Sequence, residues 1–371
     1  MTQNKELFIG LMSGTSIDGI DAALVSFSST NRLTVVETLF TEFSKKTRDQ
    51  INHTAQNNSE LRHNEDSPLH YSLASIYASA CKQLLAKANV SAVEVKGIAN
   101  HGQTVKHEPE ANPPYSLQLG DGQLLANLTG ITTYSQFRQA DLAAGGQGAP
   151  LMPAFHNAMF GENENAIILN IGGIANITCL SKPVLGFDTG PGNALLDQWI
   201  EQELGFEYDQ GGNWAAKGEV NDELLLELLN EPYFSKTYPK STGTDYFNLD
   251  WLKNRYPSYR QIKSVDIQAT LVQVTVNSIC RSIIEIGLPT NTSIFVCGGG
   301  AKNPLIMKGL RSQLAYANIT TTDELGIPSD WVEAVGFAWL GYCCANGIHS
   351  NLPSVTGAKK EVVLGEIFTP N

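Results

Sequence analysis

The part of the chain richest in reactive groups is a short polar turn near the amino terminus, at residues 10–21. Apolar strands enter and leave it, and the turn itself carries glycines, hydroxyls and two carboxylates. Glycines let backbone N–H groups approach an anion and a carboxylate can hold Mg²⁺, so the pattern predicts a site for nucleotide phosphates. An ordinary hairpin with a polar turn explains the same residues about equally well. The candidate residues are Gly14, Thr15, Ser16, Ile17, Asp18, Gly19, Ile20 and Asp21.

Two more glycine turns follow apolar runs further along the chain. Residues 166–171 lead into Gly172-Gly173 and a second apolar run, which repeats the first strand, turn and strand. An internal duplication with a phosphate-binding hairpin in each half explains this better than two unrelated hairpins. Near the carboxyl end, a strand runs into Gly298-Gly299-Gly300 and Asn303 ahead of a helix. Three consecutive glycines exceed what a tight turn requires, which favours close approach of a nucleoside.

Apolar spacing predicts the elements that position these turns. Helical periodicity is clear at residues 69–84 and 267–284, and a final helix spans about 331–344. Alternation of hairpins with helices indicates an α/β fold with mixed sheets. The small-residue run at 143–150 is typical of an interdomain hinge or an active-site loop. We expect two domains: residues 1–139 completed by part of 345–371, and residues 140–344.

Composition excludes several classes of protein. A net charge of −12 argues against a nucleic-acid partner, because phosphate backbones are bound by excess Lys and Arg. No apolar run reaches the length of a membrane span, and the first residues lack the features of a signal peptide. The six cysteines show no metal-binding spacing, which favours reduced thiols and a cytoplasmic location.

Five motifs follow one another along the chain: Gly-x-Met-Ser-Gly-Thr-Ser-x-Asp-Gly from Gly10, His101-Gly102-Gln103-Thr104, Asn170-Ile171-Gly172-Gly173-Ile174-Ala175-Asn176, Phe187-Asp188-Thr189-Gly190-Pro191-Gly192-Asn193, and Gly298-Gly299-Gly300-Ala301-x-Asn303. In this order they resemble the anhydro-N-acetylmuramic acid kinase family, of the sugar kinase, heat-shock ATPase and actin superfamily. The resemblance implies two RNase H-like domains of actin/hexokinase type with an ATP cleft between them, and a homodimer. It also implies that an anhydro amino sugar is opened by water and phosphorylated at O6, with ATP and Mg²⁺ as cofactors.

The resemblance assigns roles to individual residues. The reacting oxygen is part of an ether, so a base must activate water at the anomeric carbon, and Asp188 is the predicted base. Asp18 is the predicted Mg²⁺ group and Glu333 a weaker one, since an acidic residue in the first turn of a helix is equally well explained by the helix dipole. We expect Arg138 to bind the lactyl carboxylate and Asp141 the sugar hydroxyls. The remaining candidate sugar-binding residues are His101, Gln103, Thr104 and Asn193, the last of which alternatively caps a helix.

Other functions remain to be separated from this one. A kinase for another anhydro-sugar, such as levoglucosan, would share the ATP motifs and Asp188. A non-kinase ATPase module of the same superfamily is disfavoured by the Asp188 motif. A dinucleotide-dependent oxidoreductase is disfavoured because no Gly-x-Gly-x-x-Gly follows a strand. Residues 211–259, rich in aromatics and proline, are interpreted as an insertion over the cleft or at a subunit interface.

Overall fold

The computed structural model describes residues 5–14, 16–28, 32–57, 61, 63–64 and 67–371. The chain divides into two compact units, Met1–Met159 with Trp331–Asn371 and Phe160–Asp330. Each unit is an α/β structure built on one sheet that contains both parallel and antiparallel strand pairs. Within the described ranges, none of the helices combines the length and apolar character needed to cross a bilayer.

The elements alternate between strands and helices along the whole chain. The strands are β1 (Glu6–Ser13), β2 (Gly19–Phe27), β3 (Leu33–Glu42), β4 (Val95–Glu108), β5 (Tyr115–Leu119), β6 (Thr133–Ser135), β7 (Ile167–Ile171), β8 (Ile174–Cys179), β9 (Leu185–Pro191), β10 (Ser293–Cys297), β11 (Asn318–Thr321) and β12 (Glu366–Phe368). The helices are α1 (Lys45–Gln56), α2 (Pro68–Ala88), α3 (Gly122–Thr129), α4 (Gln139–Ala143), α5 (Met152–Phe160), α6 (Ala194–Leu204), α7 (Asp222–Leu229), α8 (Leu249–Arg255), α9 (Ser264–Ile286), α10 (Pro304–Gln313), α11 (Val332–Ala345) and α12 (Pro353–Thr356).

The two sheets share one topology. In the first unit the order is β12-β6-β4-β1-β2-β3, with β5 paired to β4 outside this path. In the second the order is β11-β10-β7-β8-β9. Each sheet begins with an antiparallel meander, β1-β2-β3 or β7-β8-β9, and continues with parallel strands beside the first strand of that meander. The predicted duplication is confirmed at the level of topology.

Helix α11 belongs to the first unit. The predicted domain division places it in the second domain, with residues 140–344. The helix packs against β1, β2 and β4, and nearly all its side chains are buried. The contact with β1 depends on Gly10, where a Cβ would overlap the carbonyl oxygen of Ala334. Residues 140–159 also lie in this unit, where Asp141 accepts a hydrogen bond from Thr356. The first unit is therefore completed by residues 331–371 and not only by part of 345–371.

The 211–259 segment is part of the core of the second unit. Its aromatic side chains Phe234, Phe247 and Trp251 are buried together with strand residues of the sheet. The rings of Phe234 and Phe247 stack with centroids 5.6 Å apart. This burial explains the aromatic composition that the sequence shows in this segment.

Candidate active site

The turn between β1 and β2 is open on the side of its first glycine. A Cβ at Gly14 would approach no neighbour closer than 4.0 Å, so neither packing nor a positive φ accounts for this glycine. Asp18 is exposed and its Oδ1 accepts a hydrogen bond of 2.7 Å from Ser16 Oγ. Ile17 has φ = 56°, a left-handed conformation that is strained for a β-branched residue. Thr15, also predicted to bind phosphate, lies outside the described residues.

The other predicted residues of this turn are already part of β2. A Cβ at Gly19 would overlap the carbonyl oxygen of Thr41 and press on the ring of Phe40, so strand pairing accounts for this glycine. Ile20 is fully buried in the core, and Asp21 pairs in register with Met12. The described part of the turn that lies outside strand pairing with β3 is therefore Gly14 and residues 16–18.

Gln103 holds the turn in place. Its Oε1 accepts a hydrogen bond from Ser13 Oγ, and its Nε2 donates to the carbonyl oxygen of Gly14 at 3.2 Å. The side chain is buried, so both ends of its amide are used inside the unit. Thr104 Oγ1 accepts a hydrogen bond from Gln118 Nε2 at 3.3 Å. For Gln103 the structure shows a role in positioning the β1–β2 turn, and its predicted contact with sugar stays a prediction.

His101 and Arg138, both predicted to bind sugar, lie in direct contact. Arg138 Nη2 donates to His101 Nε2 at 3.0 Å and Nη1 donates to the carbonyl oxygen of Gly148 at 3.1 Å. Burial, assisted by the charge of Arg138, lowers the pKa of His101 to about 3, so the imidazole is neutral and accepts through Nε2. Arg138 Nε is buried and has no partner among the described residues. Two of the five N–H groups of the guanidinium are thus used within this unit.

Glu333 is close enough to Arg138 for their charges to interact. Burial raises the pKa of Glu333, and the positive charge of Arg138 opposes that rise. A guanidinium beside a carboxylate disfavours Mg²⁺ there, because it already neutralises the charge that would attract the ion. The described residues contain no group of three or more His, Cys, Asp or Glu arranged for a metal. The metal roles of Asp18 and Glu333 both stay predictions, and Asp18 is the one without a neighbouring guanidinium among the described residues.

Asp141 is fully buried and its carboxylate is saturated with hydrogen bonds. Oδ1 accepts from Asn351 Nδ2 and Thr356 Oγ1, each at 2.8 Å, and Oδ2 accepts from Gly148 N at 2.8 Å. These bonds connect the small-residue loop to the carboxyl-terminal segment. Burial and these three hydrogen bonds give the Asp141 carboxylate a structural role, and its predicted contact with sugar hydroxyls stays a prediction.

In the second unit, the Gly172-Gly173 turn rests on the start of α6. The carbonyl oxygen of Gly172 accepts from Asn193 N at 2.8 Å, and that of Gly173 accepts from Gly192 N at 2.9 Å. Asn193 Nδ2 donates to the carbonyl oxygen of Ile171 at 3.0 Å, and its side chain makes no capping bond. The side chain of Asn193 thus supports the end of β7, which is neither of its predicted roles.

The three-glycine turn after β10 contains two packing glycines and one exposed glycine. A Cβ at Gly298 would crowd Asn170 Oδ1, and one at Gly300 would overlap the side chain of Ile171. Gly299 is exposed, and a Cβ there would meet only Asn193 Nδ2 at an ordinary 3.5 Å. Asn303 caps α10, since its Oδ1 accepts from Leu305 N at 3.0 Å. Gly299 is therefore the position of the turn best placed to contact a nucleoside.

Asp188 lies within β9, where its two carboxylate oxygens have different surroundings. Oδ2 accepts from Ser241 Oγ at 2.8 Å and from Thr242 N at 2.9 Å. No described residue donates to Oδ1. Burial raises the pKa of Asp188, and the bonds from Thr242 and Ser241 oppose that rise. A half-buried carboxylate with one oxygen that no described residue donates to and a raised pKa has the properties of a general base.

Sequence reasoning missed the residues that hold Asp188. Ser241 and Thr242 follow Asp188 by 53 and 54 residues and belong to no recognisable motif. The only signal available was a short polar run at residues 240–244 inside an otherwise aromatic segment.

Comparison with known proteins adds the family context. The family model described as anhydro-N-acetylmuramic acid kinase matches residues 6–370. A protein of that name from Haemophilus influenzae is 45% identical over 388 aligned residues, covering 99% of each chain. One from Coxiella burnetii is 45% identical over 370 residues, covering 98% of each. Among solved structures, the activator of the 2-hydroxyisocaproyl-CoA dehydratase from Clostridium difficile with bound ADPNP is 14% identical, with a TM-score of 0.47 over 92% of this chain and 96% of that one.

Proposed function

This chain belongs to the anhydro-N-acetylmuramic acid kinase family, and from that membership we propose that it opens the 1,6-anhydro ring of anhydro-N-acetylmuramic acid with water and phosphorylates O6. The products are N-acetylmuramic acid 6-phosphate and ADP, which places the enzyme in the recycling of cell-wall sugar. The observation that carries the proposal is the family match over residues 6–370. The proposal is also supported by Oδ1 of Asp188, which has no donor among the described residues and can accept a proton from water.

The proposed reaction begins with water and Asp188. Asp188 Oδ1 takes a proton from water while the water oxygen bonds to the anomeric carbon, and the bond from that carbon to O6 breaks. The freed O6 attacks the γ-phosphorus of ATP, and the bond to the β,γ-bridging oxygen breaks as ADP leaves. The side chain of Asp188 is therefore the group that couples ring opening to phosphoryl transfer.

The phosphates are the proposed ligands of the two glycine hairpins. In the first unit we assign them to Gly14, Ser16 and Ile17, with Mg²⁺ at Asp18 through water, because that ion dehydrates reluctantly. In the second unit we assign them to the Gly172-Gly173 turn. Mg²⁺ would neutralise charge on the transferred phosphoryl group.

The proposed sugar contact in the first unit is Arg138. A guanidinium binds a carboxylate such as the lactyl group through a fork of donors, and Arg138 uses two of its five N–H groups within the unit. Neutral His101 fixes the guanidinium by accepting from Nη2. We further propose a cytoplasmic location, consistent with six buried cysteines that form no disulfide. We also propose a homodimer, and light scattering would test this oligomeric state.

The test is an ATP-consumption assay over anhydro-N-acetylmuramic acid, levoglucosan, N-acetylmuramic acid and no sugar. We expect ADP release with the first substrate only. A reaction run in ¹⁸O-water should place the label at C1 of the product. Activity on levoglucosan alone would refute anhydro-N-acetylmuramic acid as the substrate. Absence of the label from C1 would refute ring opening by water.

A further inference from the structure

One stretch of the second unit, residues 233–242, makes four hydrogen bonds to Asp188. Tyr233 OH donates to the Asp188 carbonyl oxygen at 2.8 Å, and Asp188 N donates to the Lys240 carbonyl oxygen at 3.1 Å. The other two bonds reach the carboxylate, from Ser241 Oγ at 2.8 Å and Thr242 N at 2.9 Å. Residues 233–242 thus hold both the main chain and the side chain of Asp188.

The strand is also irregular at this point. In the pairing of β8 with β9, Ala175 lies opposite Gly190 and Asn176 opposite Asp188, so Thr189 is the extra residue of a β-bulge. Thr189 Oγ1 donates to the Ala175 carbonyl oxygen at 3.1 Å, which stabilises the bulge. A bulge changes the direction of the side chains beside it, and therefore the carboxylate needs an external support to keep a single orientation.

We propose that Ser241 and Thr242 are positioning residues that hold Oδ2 of Asp188 and so leave Oδ1 as the single oxygen that takes the proton from water. The inference rests on the proposed function, because it concerns the same base. Thr242 contributes through its backbone N–H, so Ser241 is the side chain that a substitution can test.

The groups that donate hydrogen bonds to the Asp188 carboxylate are neutral, although charged residues lie nearby. Lys240 turns its ammonium toward the rings of Tyr233 and Phe187, at 5.2 and 5.9 Å from their centroids. Lys240 also feels the charges of Glu285, Arg281 and Lys236. Asn176 pairs with Asp188 from β8. In the described ranges no cation forms an ion pair with Asp188, so Ser241 Oγ and Thr242 N are the groups that stabilise its anion directly.

Ser241→Ala should therefore make the Asp188 carboxylate a stronger base but a less ordered one. Removing a donor to the anion raises the pKa of Asp188, and a shift of about one to two pH units is expected from one hydrogen bond to a charged group. Ser241 is exposed, so the change leaves packing intact. Ser241→Thr keeps the hydroxyl and should restore the wild-type value, and Thr237→Ala removes an exposed hydroxyl elsewhere in the same stretch as a matched control.

Two measurements on the purified full chain test this. One follows kcat/KM for anhydro-N-acetylmuramic acid against pH. The acidic limb of this profile should move to higher pH in Ser241→Ala only. The other titrates the ¹³C-labelled Asp188 carboxyl by NMR, assigned by comparison with Asp188→Asn, and does not depend on activity. An Asp188 pKa equal in Ser241→Ala and wild type would overturn the inference. A wild-type enzyme inactive on the sugar, with the NMR shift present, would instead refute the proposed function.

Discussion

The carboxylate of Asp188 can be neutralised with almost no change of shape by the substitution Asp188→Asn. The amide oxygen of asparagine can accept the bonds that Ser241 and Thr242 make to Oδ2, while the amide nitrogen replaces Oδ1. The variant should keep its fold, because burial already disfavours the charged form of this carboxyl. It should lose the proton acceptor and nothing else.

The expected loss of kcat is about 10²–10⁴-fold, the usual contribution of a general base, or about 2.7–5.4 kcal/mol of transition-state stabilisation. A coupled assay of ADP release measures kcat, calorimetry measures ATP affinity, and thermal unfolding verifies the fold. Asp245→Asn makes the same chemical change at an exposed position nearby and should leave kcat unchanged. A kcat for Asp188→Asn within tenfold of wild type, with the fold intact, would remove Asp188 from the mechanism.

Three further predictions concern single residues. Asp141→Asn should lower the free energy of unfolding by about 1–3 kcal/mol, because an amide donor would face the Gly148 N–H; an unchanged urea midpoint would contradict the buried role of Asp141. Gly300→Ala should destabilise the fold by about 1–3 kcal/mol through overlap with Ile171, whereas Gly299→Ala should fold normally and weaken ATP binding; equal melting temperatures would argue against the packing difference. Burial lowers the pKa of His156 to about 3, so below about pH 6.5 the unfolded chain binds a proton that the folded chain does not, and stability falls as pH falls by up to about 1.4 kcal/mol per pH unit. His156→Gln should show a smaller loss of unfolding free energy than wild type between pH 7 and pH 5, and identical losses would refute this.

The fold was predictable because its signals are local. Apolar runs, glycine turns and helical periodicity lie within short windows, and their repetition predicted the duplicated sheets. The domain boundaries, in contrast, depend on contacts between residues that are far apart in the chain. Helix α11 is apolar on almost every side, which indicates burial, but its sequence does not say which sheet it covers. That choice follows from the fit between Gly10 and the backbone at Ala334, residues far apart in the chain.

The motifs of the candidate site could be read from the sequence, but the residues that hold them in place could not. Asp188 stands in a motif, but the donors on its carboxylate lie in a segment whose dominant signal is aromatic packing. Asp141 looked like a sugar ligand because it is a polar residue beside a glycine-rich loop. Its partners Asn351 and Thr356 are more than 200 residues away, so sequence proximity could not reveal that the carboxylate was already saturated.

The three-glycine turn shows why a motif identifies a family more securely than it identifies contacts. A glycine is required wherever a Cβ has no room, whether the occupant is a ligand or the protein itself. At Gly298 and Gly300 the occupants are Asn170 and Ile171 of β7, so these two glycines seat the turn against the strand that leads into the phosphate hairpin. Gly299 has no such occupant. The steric requirement for glycine at Gly298 and Gly300 therefore serves the packing of the turn, and contact of Gly299 with a ligand stays a prediction.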